Sequence, residues 1–220
     1  MVDLRQAFVR HPIARRLSPC FDAEALRGDL ASIDESWWRP HLGPYHDGGW
    51  ECVSLWAPRG DLFEQRSRGG ALASTAALER CPRLRSALDA LPGQRNRARL
   101  MRLRPGARIF RHSDPLEQIS QDLLRIHIPV VTNPDVEFRV NGHRIEMRPG
   151  EVWNVDVRFP HEVANRGQDH RVHLVVDVLP GSGLLQLLEG SEVAASGWLT
   201  LYFLKHSLPQ GLIRRLRIGN

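Results

Sequence analysis

A mainly β domain with flanking helices is the fold class this sequence predicts, and three observations carry it. Between residues 97 and 178, apolar and polar side chains alternate in short runs, the period-two spacing of half-buried strands. Turn pairs separate the runs: Pro105-Gly106, Asn141-Gly142 and Pro149-Gly150. On both sides of this block the apolar spacing returns to that of amphipathic helices. Antiparallel strands with tight turns and helices before and after them make a β-sandwich, or an open barrel backed by helices on one side.

In chain order, Leu4 to Arg16 is expected to form an N-terminal helix. Phe21 to Leu30 follows Ser18-Pro19-Cys20 and places Ala23, Leu26 and Leu30 on one helical face. Ala71 to Leu91 reads as mostly helical, with Pro82 opening a second segment and Pro92-Gly93 closing it. Six strands are then expected: Arg97 to Leu103, Leu124 to Val131, Val136 to Val140, His143 to Met147, Val152 to Val157 and Arg171 to Val178. Asn141-Gly142 joins the middle pair, because these residues tolerate the positive φ of a two-residue hairpin. Helical spacing resumes around Leu184 to Leu188 and Trp198 to Arg217, where Leu184, Leu187, Leu188, Trp198, Leu201 and Leu204 form a stripe suited to core or a dimer face. The expectation is a single domain over residues 1–220: helical to about residue 95, a barrel core over about 96–180, and helices beyond.

Composition excludes several classes. At 220 residues, 42% hydrophobic and 25% charged, the chain has the apolar material for a core and is not a disordered segment. Its formal charge of +5 comes from arginines scattered along the chain, with Lys205 the only lysine, so no basic block marks a nucleic-acid partner. The densest run, Arg95 to Arg104, alternates with Leu100, Met101 and Leu103 and is expected to be a solvated face opposite a buried one, with Arg99, Arg102 and Arg104 available to grip a carboxylate if some of them face inward. The three cysteines lie far apart without a CxxC pair, which argues against a zinc ribbon and for a reduced, cytoplasmic setting. No run approaches the roughly 20 apolar residues of a bilayer span, so no membrane partner is expected, while a homodimer stays open.

The chemistry concentrates in the strand block. His112-Ser113-Asp114 puts an imidazole and a carboxylate on the same side of an extended chain, and His161 lies downstream after the turn-like Arg158-Phe159-Pro160. Two neutral imidazoles and one carboxylate on one face of a metal are the arrangement of non-haem Fe(II) oxygenases, with positions left for a bidentate 2-oxo acid and dioxygen. The plainer alternatives are a loop-end histidine beside an Asx cap, and a core histidine at 161 with His170 or His173 competing as ligand. Arg171 offers a guanidinium fork that fits a carboxylate at two points, as 2-oxoglutarate needs, or it pairs with Asp169 or Asp177. Arg125 and His127 share one strand face opposite Leu124, Ile126, Ile128 and Val130; Arg171 and His173 separate likewise from Val172, Leu174 and Val176. This parity suggests a polar barrel interior, and barrel mouths are favoured ligand sites. Asp156, Trp153 and Asn165 are available to orient His161, or are ordinary turn and core residues.

Six ordered segments carry a resemblance: Arg99 to Gly106, His112-Ser113-Asp114, Arg125-Ile126-His127-Ile128-Pro129, Gly150-Glu151-Val152-Trp153, His161 to Asn165 and Arg171 to Asp177. Together they resemble the aspartyl/asparaginyl β-hydroxylase family, and within it the bacterial members of the L-proline cis-4-hydroxylase type. The likeness spans about residues 95–180, with fainter echoes at Gly48-Gly49-Trp50-Glu51 and Cys81-Pro82. It implies a double-stranded β-helix, a jelly-roll or cupin-like barrel, that uses Fe(II), 2-oxoglutarate and O2 to hydroxylate an unactivated C–H bond. It also implies that His112, Asp114 and His161 ligate the iron, that Arg171 meets the C5 carboxylate of 2-oxoglutarate, and that Arg125 and His127 help hold that co-substrate. Some family members have glycine where this chain has Asp114. Met101 stands where vertebrate-type enzymes have a serine that anchors 2-oxoglutarate, and the segment from Pro115 to Leu124 is longer than theirs. The substrate class the resemblance implies is a free amino acid such as proline or an amino-acid-like small molecule, then a peptidyl Asp or Asn, then a lipid acyl chain. A cupin-like module that binds metal or ligand without oxidation is the alternative of another class.

Overall fold

The structure, a computed structural model, describes residues 11–66, 69–114, 123–179 and 192–195. Its centre is eight strands that pass between two facing sheets. They are β5 (Gln94–Leu103), β6 (Arg108–His112), β7 (Leu124–Val131), β8 (Val136–Val140), β9 (His143–Arg144), β10 (Glu151–Val155), β11 (His161–Asn165) and β12 (Arg171–Leu179). One sheet contains the run β10-β7-β12-β5; the other is β6-β11-β8-β9. This alternation is the winding of a double-stranded β-helix, the jelly roll expected from the resemblance. Where the hairpin between β8 and β9 turns, Asn141 and Gly142 both take positive φ, 49° and 81°, as the Asn-Gly pair predicts.

The larger sheet extends further at both edges. At one, β1 (His11–Cys20) pairs with β10, Ala14 opposite Val155 and Leu17 opposite Val152, and β13 (Glu192–Ala195) pairs with β1. At the other, β3 (Trp50–Pro58) lies beside β5 and is flanked by β2 (Arg39–Pro40) and β4 (Leu72–Ser74). The N-terminal helix expected over Leu4 to Arg16 is therefore corrected where it is described: from His11 the chain is strand. The exposed edge of β10 offers unpaired backbone groups along its length, and burial of Ile13, Ala14 and Leu17 rewards their pairing more than helix formation does. The helical character expected to about residue 95 is limited likewise, since β1 to β4 all fall there.

Among the described residues of that part, three α-helices remain, besides two short 3-10 turns. α1 (Ala23–Asp29) is capped by the Asp22 side chain, which accepts from the amides of Glu24 and Ala25. α2 (Ala76–Glu79) is capped by Thr75, and α3 (Pro82–Asp89) opens on Pro82 as expected. The buried Asp29 carboxylate ties α1 to α3 by accepting from the amides of Arg83 and Leu84, both at 2.8 Å. These helices cover one face of the larger sheet, where Leu26, Leu78, Leu84 and Leu88 pack on Leu100, Ile126, Ile128, Val172, Leu174 and Val176. The opposite face meets the smaller sheet and builds a second cluster around Met101, Leu103, Ile109, Phe138, Val140 and Val163.

Gly150 joins the two halves of the fold. With φ at 82°, its amide donates to Pro129 O and its carbonyl accepts from Phe21 N, and a Cβ there would sit 2.1 Å from Phe21 O. Among the described residues, no helix is long and apolar enough to cross a membrane. The C-terminal helices and stripe, and most of the segment from Pro115 to Leu124, lie outside the described residues.

Candidate metal centre and its cavity

β6 and β11 are paired so that His112 stands opposite His161, with a bulge just beyond His161. The two rings approach to 4.3 Å between centroids, tilted by 52°. Each ring is oriented by its own strand: His112 Nδ1 lies 2.7 Å from Phe110 O, and His161 Nδ1 lies 3.0 Å from Phe159 O. A carbonyl can only accept, so each Nδ1 carries the proton and each Nε2 keeps its lone pair. Asp114, two residues beyond His112, is steadied by its amide donating to Val157 O at 3.1 Å. Its Oδ1 lies 3.6 Å from His112 Nε2. One ligand atom from each of His112, Asp114 and His161 falls within 4.8 Å of the others. Two imidazole nitrogens and a carboxylate oxygen converging this way form a donor set for a divalent transition metal.

Burial and Asp114 act on His161 in opposite directions; burial dominates and lowers its pKa to about 4, so the ring is a neutral donor at pH 7. For Asp114, burial favours the neutral acid, but the adjacent Arg125 guanidinium outweighs it and holds the carboxyl below the usual carboxylate range. Arg125 donates through Nη1 to Asp114 Oδ2, leaving Oδ1 turned toward the histidines. Its Nε donates to Asp177 Oδ1 at 2.7 Å, so one guanidinium bridges two carboxylates.

The donor set opens into a cavity of about 360 Å³ between the sheets, whose wall includes Arg97, Arg99, Arg125, His127, Phe138 and Arg171. Arg171 is 2% exposed, and burial lowers its pKa to about 9, still cationic at pH 7. Its Nη2 donates to His173 Nδ1 at 2.8 Å, and its Nε has no partner. It pairs with neither Asp169 nor Asp177, the carboxylates its position in the sequence also offers. His127 lies with its Nδ1 3.4 Å from His173 Nδ1, and its buried Nε2 is likewise unpartnered. Burial first, then Arg171, keeps both of these imidazoles neutral. Unsatisfied polar atoms in a dry wall are costly unless a ligand meets them.

Every residue proposed from the sequence lies around this one cavity: His112, Asp114 and His161 at the donor set, Arg125 bracing it, and His127 and Arg171 on the wall. His173 contacts Arg171 and His127 rather than the donor set. Trp153 donates to Glu151, Asp156 accepts from Arg158, and Asn165 donates to Leu103 O and Asp169 O, so none of the three orients His161. The solvated-face expectation for Arg95 to Arg104 is overturned. Arg97 and Arg99 point into the cavity, and Arg102 is buried against Glu51 at 2.8 Å. Strand parity was the missed signal, because Arg97 and Arg99 face the same way as Met101 and Leu103. Tyr45, stacked on His112 at 4.5 Å, comes from a loop that no spacing rule marks.

Residues 22–180 match the family described as aspartyl/asparaginyl beta-hydroxylase, and the chain belongs to that family. L-proline cis-4-hydroxylase of Rhizobium meliloti is 32% identical over 79 residues, which make up 36% of this chain and 28% of that enzyme. A Pseudomonas putida prolyl-4-hydroxylase structure aligns with a TM-score of 0.47 at 17% identity, covering 81% of this chain and 96% of that one. A 2OG-Fe(II) oxygenase family oxidoreductase from Burkholderia pseudomallei gives 0.46 at 16% identity, covering 79% and 86%.

Proposed function

We propose that this chain is an Fe(II)- and 2-oxoglutarate-dependent hydroxylase of a free, proline-like amino acid or an amino-acid-derived small molecule. The observation that carries the reading is the convergence of two Nε2 atoms and one carboxylate oxygen at a cavity that also contains a buried guanidinium with no carboxylate partner. In this reading His112, Asp114 and His161 hold the iron. Arg171 takes the C5 carboxylate of 2-oxoglutarate at two points, with His127 beside it. Arg125 keeps Asp114 ionised and fixes which oxygen faces the ion. The bound iron supplies the dioxygen chemistry, in which 2-oxoglutarate, O2 and a substrate C–H give succinate, CO2 and the corresponding alcohol. The rest is the protein's contribution: two pre-oriented imidazoles, a carboxylate kept charged, and apolar walls from Phe138, Val157 and Val175 that exclude water.

The test is spectroscopic. Fe(II) and 2-oxoglutarate added to the anaerobic protein should give the weak visible charge-transfer band of a chelated 2-oxo acid. Folded, iron-loaded protein without that band would favour a cupin-like binding module instead. A screen of amino acids for stimulated succinate release, with mass analysis for one added oxygen, then identifies the substrate, and stimulation by peptides alone would move the assignment to a peptidyl Asp or Asn hydroxylase.

A further inference from the structure

Among the described residues, two buried guanidiniums line the cavity without a carboxylate at hydrogen-bonding distance. Arg171 is one, and the proposed function assigns it to the co-substrate. Arg99 is the other. It is 3% exposed, its Nε has no partner, and its nearest carboxylate oxygen, Asp177 Oδ2, is 3.9 Å away. That carboxylate is already committed, for Arg125 meets it at 2.7 Å and Arg97 at 2.5 Å. Arg97 is occupied in turn, since it also donates to Gln65 O at 3.1 Å.

The charge count points the same way. Among the described residues, Arg66, Arg97, Arg99, Arg125 and Arg171 line the cavity and the carboxylates that meet them are Asp114 and Asp177, an excess of three positive charges. The nearby imidazoles of His127, His161 and His173 are neutral. A divalent metal and a dianionic 2-oxoglutarate cancel one another, so loading the site with both leaves the excess in place. Burial, and then the neighbouring Arg97, lower the pKa of Arg99 only to about 9, so it stays charged at neutral pH. A buried cation whose counter-ion is distant and shared is an expensive feature unless another anion arrives.

Position separates the two anchors. Arg171 lies opposite Leu103 in the pairing of β12 with β5, while Arg99 lies opposite Val175. Four residues along β12 are about 13 Å of backbone, so the two side chains leave the sheet at different levels. His41, close enough to Arg99 to feel its charge, lines the same cavity.

We propose that Arg99 is the specificity-determining anchor for a carboxylate of the primary substrate, with Arg97 locked to Asp177 as its fixed positive neighbour. This rests on the proposed function for the identity of the other ligand at Arg171. The substrate is then a free carboxylic acid, with its α-carboxylate available, and not an amide, an ester or the interior of a peptide.

Thermal unfolding of the full chain, loaded anaerobically with Fe(II), tests this without turnover. The probes are the free L-amino acids, their carboxamides, and 2-oxoglutarate. At least one amino acid should raise the unfolding midpoint while its carboxamide does not. Arg99→Gln should weaken that amino acid's apparent affinity by about 100-fold, as loss of a charge-assisted carboxylate contact does, and keep the response to 2-oxoglutarate. Arg171→Gln should show the opposite pattern. Arg99→Met, an apolar replacement of similar length, serves if the glutamine variant fails to fold. The inference is overturned if acid and amide act alike, if no amino acid shifts the wild-type midpoint, if Arg99 variants keep the amino-acid response, or if they lose the 2-oxoglutarate response. Absence of the chelate band in wild-type protein instead counts against the proposed function, and the crossed pattern of the two arginine variants is read separately from it.

Discussion

Strand β12 sends Val172, Leu174, Val176 and Val178 to one side of the sheet and Arg171, His173, Val175 and Asp177 to the other, and all eight are buried. The first side meets α1 and α3 through aliphatic contacts and contributes by removing apolar area from water. The second side holds a cation, an imidazole and a carboxylate within the barrel, where burial alone is unfavourable for each. The difference teaches that depth in this fold has two meanings. On the helix side it stabilises the molecule, and on the cavity side it stores unsatisfied polar groups for use on ligands.

Substitutions can break that contrast. The largest effect is expected at the donor set, where His161→Ala or Asp114→Ala should abolish 2-oxoglutarate turnover, measured as succinate release, in a chain that still folds. Next comes Asp177→Asn on the cavity side. It leaves Arg97 and Arg125 without their shared counter-charge and should cost about 3–5 kcal/mol in urea denaturation. On the helix side Leu174→Ala should cost about 2–5 kcal/mol by the same measurement, with the chelate band unchanged. Arg171→Met separates the two meanings most directly: stability should stay the same or rise, while the 2-oxoglutarate requirement rises by about 100-fold. A parallel loss of stability and ligand response in Arg171→Met would erase the distinction.

Acid provides a finer probe of the cavity side in the metal-free protein. Burial holds the folded-state pKa of His127, His161 and His173 below the ordinary histidine value, so between those values the unfolded chain binds more protons than the folded one. Stability should therefore fall as pH drops below about 6.5, and His173→Phe should flatten that fall. Asp177 acts lower. Burial opposes its ionisation, but Arg125 and Arg97 prevail and depress its pKa, so its contribution is present above the unfolded value of about 3.9 and disappears below it. The smallest expected change is Tyr45→Ala, which removes one exposed ring from His112 and should cost no more than about 1 kcal/mol.

The period-two runs, the Asn141-Gly142 turn and the parity of Arg125, His127, Arg171 and His173 were all legible along the chain, because alternation and positive φ are local properties of a strand and its turn. The family motifs likewise led to His112, Asp114 and His161, the two histidines of which β6 and β11 bring into register. Local rules misjudged His11 to Arg16, where a helical reading gave way to pairing with an edge that exists only after β10 is in place. They also sent Arg97 to solvent and left the direction of Arg99 open. An arginine on a strand reads as exposed by composition, and its depth depends on whether a second sheet closes over that face. Convergence of the two guanidinium anchors on one cavity, with one paired carboxylate between several cations, is a property of the closed barrel. Charge balance over a volume has no counterpart in the order of residues along a line.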